Sequence, residues 1–280
     1  MVQWRSAVRR LSSNQSTPGP TPDAPPSWTP VFVVTYGRSG STLVQGLLNA
    51  LPRTLVRGEN GLFFVDLFRA SDRATTFARK HGTHAPRLTT SAFYGAHRIR
   101  EDRFTYFSRR LIQRTLLGPH KSEEYDRVGF KEVAWHELEA GETEAFFDWW
   151  DQVFPDAVYV LHTREREALP HSGFWRYQPV DEIYAKVDRV VEIQEHLRRT
   201  RPEQVVETRF EALTTDDDAA ASETLRDLAI RLTGGCDDEL LATLMAVRAQ
   251  RHGPRGHDEG DEARDVEAEL AQVEEPQTDG

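Results

Sequence analysis

Apolar residues along the chain follow two alternating patterns. Val31-Phe32-Val33-Val34-Thr35 is an unbroken β-branched and aromatic run, the pattern of a strand covered on both faces. Leu43, Leu47, Leu48 and Leu51 then recur at helical spacing until Pro52, which stops a helix. Further strands are predicted at Arg127–Val133, Ala157–Thr163 and Val205–Arg209. Helical periods predict helices over Gly61–Lys80, Ile99–Leu117, Gly141–Val153, Val180–Thr200, Thr224–Leu232 and Asp238–Ala249. Strands that alternate with helices imply right-handed crossovers. The predicted fold is therefore α/β, a three-layer sandwich with a mainly parallel central sheet. The polar, Thr- and Arg-rich stretch Ser71–His97 overlaps the end of one helical pattern and reads as a mobile loop over a site.

The ends of the chain differ from this middle. Residues 1–29 hold no apolar period and become rich in Ser, Pro and Gly after residue 12, which predicts a disordered arm. Residues 258–280 carry ten acidic side chains and one Arg and predict an acidic disordered tail. The ordered domain is expected over 30–257.

Charge sharpens the picture. The net charge is −10, of which the tail supplies −9 and the first 27 residues +2, leaving 31 basic and 34 acidic side chains between them. A near-neutral core argues against a nucleic-acid stripe but allows a local anion site. Only four of the 35 basic residues are Lys, and Arg is the better fork for phosphate-like groups. The single Cys236 excludes an internal disulfide framework and any multi-Cys metal site. The longest uncharged apolar run, Pro30 to Tyr36, is too short to cross a membrane. A cytoplasmic protein is expected, and no feature specifies an oligomer.

Tyr36-Gly37-Arg38-Ser39-Gly40-Ser41-Thr42 joins the first strand to the first helix. A glycine-rich turn entering a helix aims backbone N–H groups at one point, where the helix dipole also favours negative charge. Ser39, Ser41 and Thr42 add hydroxyl donors, and Arg38 adds a planar cation. The loop lacks the Lys of GxxxxGK[ST] and has only Gly37 and Gly40 of a GxGxxG pattern.

The segment Thr35 to Leu43 resembles the 5′-phosphosulfate loop of sulfotransferases that use 3′-phosphoadenosine 5′-phosphosulfate (PAPS), in the Arg-Ser-Gly-Ser/Thr-Thr form of bacterial and tyrosylprotein members. Cytosolic members usually have Pro and Lys at the places of Gly37 and Arg38. A second feature matches the family. Arg164 follows the strand ending at Thr163, with Ser172 eight residues later, and in the family an Arg and a Ser so spaced grip the 3′-phosphate. Ligands of open α/β sheets do bind beyond strand carboxyl ends, and Arg forks phosphate. Thr208 to Leu213 is similar to a family landmark segment after a late strand. The run Arg251 to Gly256 is similar to the loop that closes over the nucleotide in cytosolic members, which implies contacts from Arg251 and Gly253.

The resemblance also implies a catalytic set. Sulfuryl transfer needs a general base and a cradle for charge on the leaving group. Glu59, in Arg57-Gly58-Glu59-Asn60, matches the Gly-Glu that carries the base in tyrosylprotein and several bacterial members. Lys131 matches a Lys near the leaving phosphate or acceptor, and Arg38 would balance charge on the departing 5′-phosphate. His136 and His162 rank second and third as bases. This scheme requires no metal, and no His/Asp/Glu cluster has ligand spacing. The second product would be 3′-phosphoadenosine 5′-phosphate (PAP). The acceptor is expected to be a glycan or small molecule, and the aromatic residues Phe63, Phe64, Phe68, Phe146, Phe147, Trp149, Trp150, Phe174, Trp175 and Tyr177 are read mostly as core. Two alternatives stay open: a P-loop phosphotransferase using ATP and magnesium, against which the missing Walker Lys and Walker B strand argue, and a non-catalytic nucleotide-binding scaffold.

Overall fold

Strand β1 (Thr29–Val34) is the centre of the molecule, and Val31 to Val34 are all buried. The computed structural model describes residues 26–82 and 89–250. Because side chains alternate along a strand, β1 feeds two cores. Val31 and Val33 pack with Leu43, Val44, Leu47 and Leu48 of α1 (Ser41–Ala50). Phe32 and Val34 enter an aromatic cluster on the other face.

After α1 the chain forms the edge strand β2 (Thr54–Arg57), then α2 (Phe63–His81) and α3 (Glu101–Leu117). Strand β3 (Arg127–Glu132), α4 (Thr143–Val153), β4 (Val158–Thr163) and α5 (Val180–Thr200) follow. The described chain ends with β5 (Val205–Arg209), α6 (Phe210–Thr214), α7 (Asp218–Thr233) and α8 (Asp238–Ala249). All strand pairs are parallel, in the order β2-β3-β1-β4-β5. This is the expected α/β three-layer sandwich. On the aromatic side, Phe130 lies 4.7 Å between centroids from both Phe32 and Phe64, and Trp150 lies 5.0 Å from Phe32. Such pairs add about 0.5–1.5 kcal/mol each beyond the area they bury.

Strand β2 was not expected, since four residues carry too little alternation to register as a strand. Helix α7 begins at Asp218, six residues before the expected start. Asp217 caps it by accepting from the N–H groups of Ala219 and Ala220 at 2.9 and 3.2 Å, a polar cap that apolar periodicity does not detect. The mobile loop expected over Ser71–His97 is corrected for its described residues, 83–88 lying outside them. Residues 71–81 continue α2, with Ser71 and Thr75 buried against the body, and Ala96–Arg98 form a 3-10 turn. Trp28, assigned to the arm, is buried with its ring 6.1 Å from Phe154. The rest of the arm and the acidic tail lie outside the described residues. Of the aromatic residues, Phe64, Phe68, Phe146, Phe147, Trp149, Trp150 and Trp175 are core, whereas Tyr177 is 75% exposed. Among the described residues no helix is long and apolar enough to cross a membrane.

Candidate active site

The sheet order places the site. From β1 the chain crosses towards β2 and β3, whereas from β4 it moves outward to β5. The crevice at the carboxyl ends of β1 and β4 is thus the topological switch point, where open α/β sheets bind ligands. Arg38 (φ 62°) and Gly40 (φ 88°) are both left-handed and turn the chain from β1 into α1. A Cβ on Gly40 would run into the Phe210 ring, and one on Gly37 would lie 2.9 Å from the Trp175 indole. Both glycines are therefore demanded by close packing. Helix α1 has no side-chain cap and no acid in its first turn, so its leading N–H groups are open to an anion.

The loop is held from below by buried polar groups. Thr35 Oγ1 lies 2.8 Å from the His162 carbonyl and 2.9 Å from Ser39 Oγ. The Ser39 carbonyl lies 2.9 Å from His162 Nε2, and His162 Nδ1 lies 2.9 Å from Thr208 Oγ1. A carbonyl only accepts, so His162 carries its proton on Nε2 and accepts at Nδ1. Burial pushes its pKa down to about 4, and it is a neutral post under the loop. His162, ranked last as a base for its place inside a strand, is packed and not open to an acceptor. One expectation is corrected. Ser39 is fully buried with its hydroxyl bonded to Thr35, so the side chain offers nothing to an anion.

Two arginines meet on the loop's open side. Arg38 Nε donates to Ser172 Oγ at 3.1 Å, and its guanidinium lies across Gly173, where a Cβ would collide with it. Arg164 Nη1 donates to the Arg38 carbonyl at 3.0 Å, with its Cζ 4.3 Å from the Phe210 ring centre. The Tyr36 hydroxyl accepts from the Arg164 N–H at 2.8 Å and donates to the Arg164 carbonyl at 2.9 Å. That reciprocal pair clamps the end of β4 to the loop, and burial pushes the Tyr36 phenol upward. Arg164 Nε is buried with no hydrogen-bond partner. A buried guanidinium N–H left unpaired costs free energy.

Glu59 and Lys131 meet at the same end of the sheet. Lys131, aligned with Val33 of β1, is almost wholly buried, and its Nζ bonds Glu59 Oε1, while the Glu59 side chain is 52% exposed. Beneath them lies Glu132, 1% exposed. Its Oε2 accepts from the N–H groups of Asn60 at 3.0 Å and Leu62 at 3.3 Å; its Oε1 accepts from Val133 at 2.8 Å and Ala134 at 3.1 Å. One carboxylate thereby ties the loop after Glu59 to the strand end after Lys131. His136, in a 3-10 turn, does not line the crevice, and burial holds its pKa below the usual value.

Gly37, Arg38, Gly40, Ser41, Thr42, Glu59, Arg164 and Ser172 line one cavity of about 400 Å3. Val133, Phe210, Thr214, Arg248 and Gln250 also line it, and sequence reasoning gave none of these a chemical role. Arg248 Nε donates to the Leu213 carbonyl at 2.9 Å and Nη1 to Asp218 at 3.0 Å, which docks the end of α8 at the cavity. No local pattern marks Arg248. Arg251 and Gly253 lie outside the described residues; Gln250, the last described, is at the cavity wall. Among the described residues no group of three or more His, Cys, Asp or Glu side chains could hold a metal ion.

A profile described as "Sulfotransferase family" matches residues 30–233, most of the chain. The chain belongs to the sulfotransferase family. The "Sulfotransferase Domain from the Synechococcus PCC 7002 Olefin Synthase" is similar to this sulfotransferase, with 16% identity, coverage of 81% of this chain and 82% of that one, and a TM-score of 0.47. No curated protein matches the sequence of this sulfotransferase. The matched segment contains the β1–α1 loop, Glu59, Lys131, Arg164 and Ser172.

Proposed function

We propose that this sulfotransferase moves a sulfuryl group from PAPS to a hydroxyl of a carbohydrate or small-molecule acceptor, leaving PAP. The observation that carries the reading is one cavity lined by Arg38, Arg164, Ser172 and the uncapped start of α1. The donor set is cationic and N–H rich, as a nucleotide with phosphates at two ends requires. The residues fit such a ligand.

PAPS, when bound, supplies the activated sulfuryl group. Arg164 and Ser172 would hold the 3′-phosphate, and the N–H groups from Gly40 to Thr42 with Arg38 would hold the 5′ end. Glu59 would take the acceptor proton at Oε2, since Oε1 is bonded to Lys131. The Lys131 ammonium orients that carboxylate until the acceptor arrives. Glu132 holds both partners at a set spacing through the four N–H groups it accepts. Arg38 balances charge as it develops on the leaving 5′-phosphate.

Calorimetric titration with PAP, beside ATP with and without magnesium and adenosine 5′-phosphosulfate, tests the reading. Binding of PAP that needs the 3′-phosphate and no metal is the expected result. A preference for ATP with magnesium, or no binding of PAP, would overturn it.

A further inference from the structure

A second opening lies between α2 and the start of α3, and it shares no lining residue with the donor cavity. It encloses about 430 Å3, within the range of small-molecule sites, roughly 300–1,000 Å3. Its walls are Leu67 of α2, Ile99, and Phe104, Phe107 and Leu111 of α3. Phe107 is 65% exposed and Leu111 49%. They stand four residues apart on one helix face, so the two form a continuous apolar patch rather than scattered exposed residues.

The polar part of the lining is of one sign. Arg98, Arg100 and Arg103 line the opening, and among the described residues no carboxylate does. The neighbouring acids are Glu101 and Asp102, and Asp102 is engaged by Arg100 through bonds of 2.9 and 2.5 Å. Helix α3, 17 residues long, starts at this point without a side-chain cap, so its dipole adds positive potential at the mouth.

We propose that this cleft binds a single-chain amphiphile with an anionic head group, taken up as a monomer from solution. The chain would lie along Leu67, Phe104, Phe107 and Leu111, and the head group would meet the arginine rim. An uncharged chain would leave Arg98 and Arg103 at the rim without a counter-ion, since only Arg100 is held by Asp102, and a small anion would leave the apolar wall wet. Only a ligand with both parts satisfies the whole lining. A cleft of about 430 Å3 lined by both apolar side chains and arginines suits one chain better than a flat lipid surface.

The test titrates the full-length protein with dodecanoate below its micelle concentration, with dodecylammonium and propanoate as controls. Dodecanoate is expected to bind at least ten-fold more tightly than either. Phe107→Glu, at an exposed position, and the double variant Arg98→Ala/Arg103→Ala are each expected to weaken dodecanoate at least ten-fold. Their melting temperatures should stay within a few degrees of the parent, because none of the three side chains is buried. Three results would overturn the proposal: no dodecanoate binding, equal affinity for the cationic chain, or unchanged affinity in both variants. Binding to anionic vesicles without binding of monomeric dodecanoate would assign the face to a membrane instead. A dimer that Phe107→Glu dissociates, with no dodecanoate binding, would assign it to a second copy of the chain. PAP titration of the same variants is independent of these outcomes, so a failure of the proposed activity is read separately.

Discussion

Replacing Arg164 by Ala separates a ligand-binding arginine from a structural one. In the free protein the change deletes the 3.0 Å bond to the Arg38 carbonyl and the contact with the Phe210 ring at 4.3 Å. A charged donor bond contributes about 1.5–3 kcal/mol, and a part-exposed cation–π contact about 0.5–1 kcal/mol. The same change also removes a buried N–H that has no partner, which returns about 1–3 kcal/mol. These effects largely offset, so the free protein should lose only about 1 kcal/mol. With nucleotide bound the parent side chain also makes a charge-assisted contact to phosphate, which Ala cannot make. PAP affinity should fall by about 2–3 kcal/mol, roughly 30- to 150-fold. Calorimetry with PAP and urea unfolding without it measure the two quantities on one preparation. Arg164→Lys, which keeps the charge but not the fork, should fall between. Affinity within three-fold of the parent, or a stability loss above about 3 kcal/mol with affinity unchanged, would refute the assignment.

Glu59→Gln should lower turnover roughly 100-fold or more while leaving PAP affinity within three-fold; full turnover by the variant would pass the base role to another group. Glu132→Ala leaves four N–H groups without their acceptor, and urea unfolding should show a loss of at least about 3 kcal/mol, with Glu132→Gln intermediate; a loss below 1 kcal/mol would contradict the four-bond geometry. His162 has its folded pKa depressed from 6.5 to about 4. The unfolded chain therefore takes the proton first as pH falls, and stability is lost below about pH 6.5 and levels off near pH 4. The shift corresponds to about 3 kcal/mol. The stability gap between the protein and His162→Gln should shrink by about that amount from pH 7 to pH 4, and a gap that stays constant would show that His162 is not the neutral post described.

Much of the architecture is legible because it rests on local patterns. The run Val31 to Val34 reads as a strand with both faces covered, and the Gly37–Thr42 turn between it and a helix reads as a place where N–H groups meet at a sheet end. Arg164 is the first residue past a strand carboxyl end, but its role with Ser172 came from the family resemblance. Strand β2 escaped because its four residues are shaped by pairing with β3 rather than by a period of their own. Arg248 escaped because it reaches the cavity through the docking of α8, which no spacing records.

The sequence by itself determined the α/β order, the loop chemistry and the list of available donors and acids. Which of those groups face a ligand was decided only in three dimensions. Ser39 and Ser41 are both hydroxyls of one short loop, yet Ser39 turns inward to Thr35 and only Ser41 lines the cavity. Glu59 and Glu132 each adjoin or meet Lys131, yet one carboxylate stands at the crevice and the other is spent on four backbone N–H groups. A polar side chain in a folded protein goes to whatever partner spares it an unpaired burial, and that partner is named by the packing of distant segments.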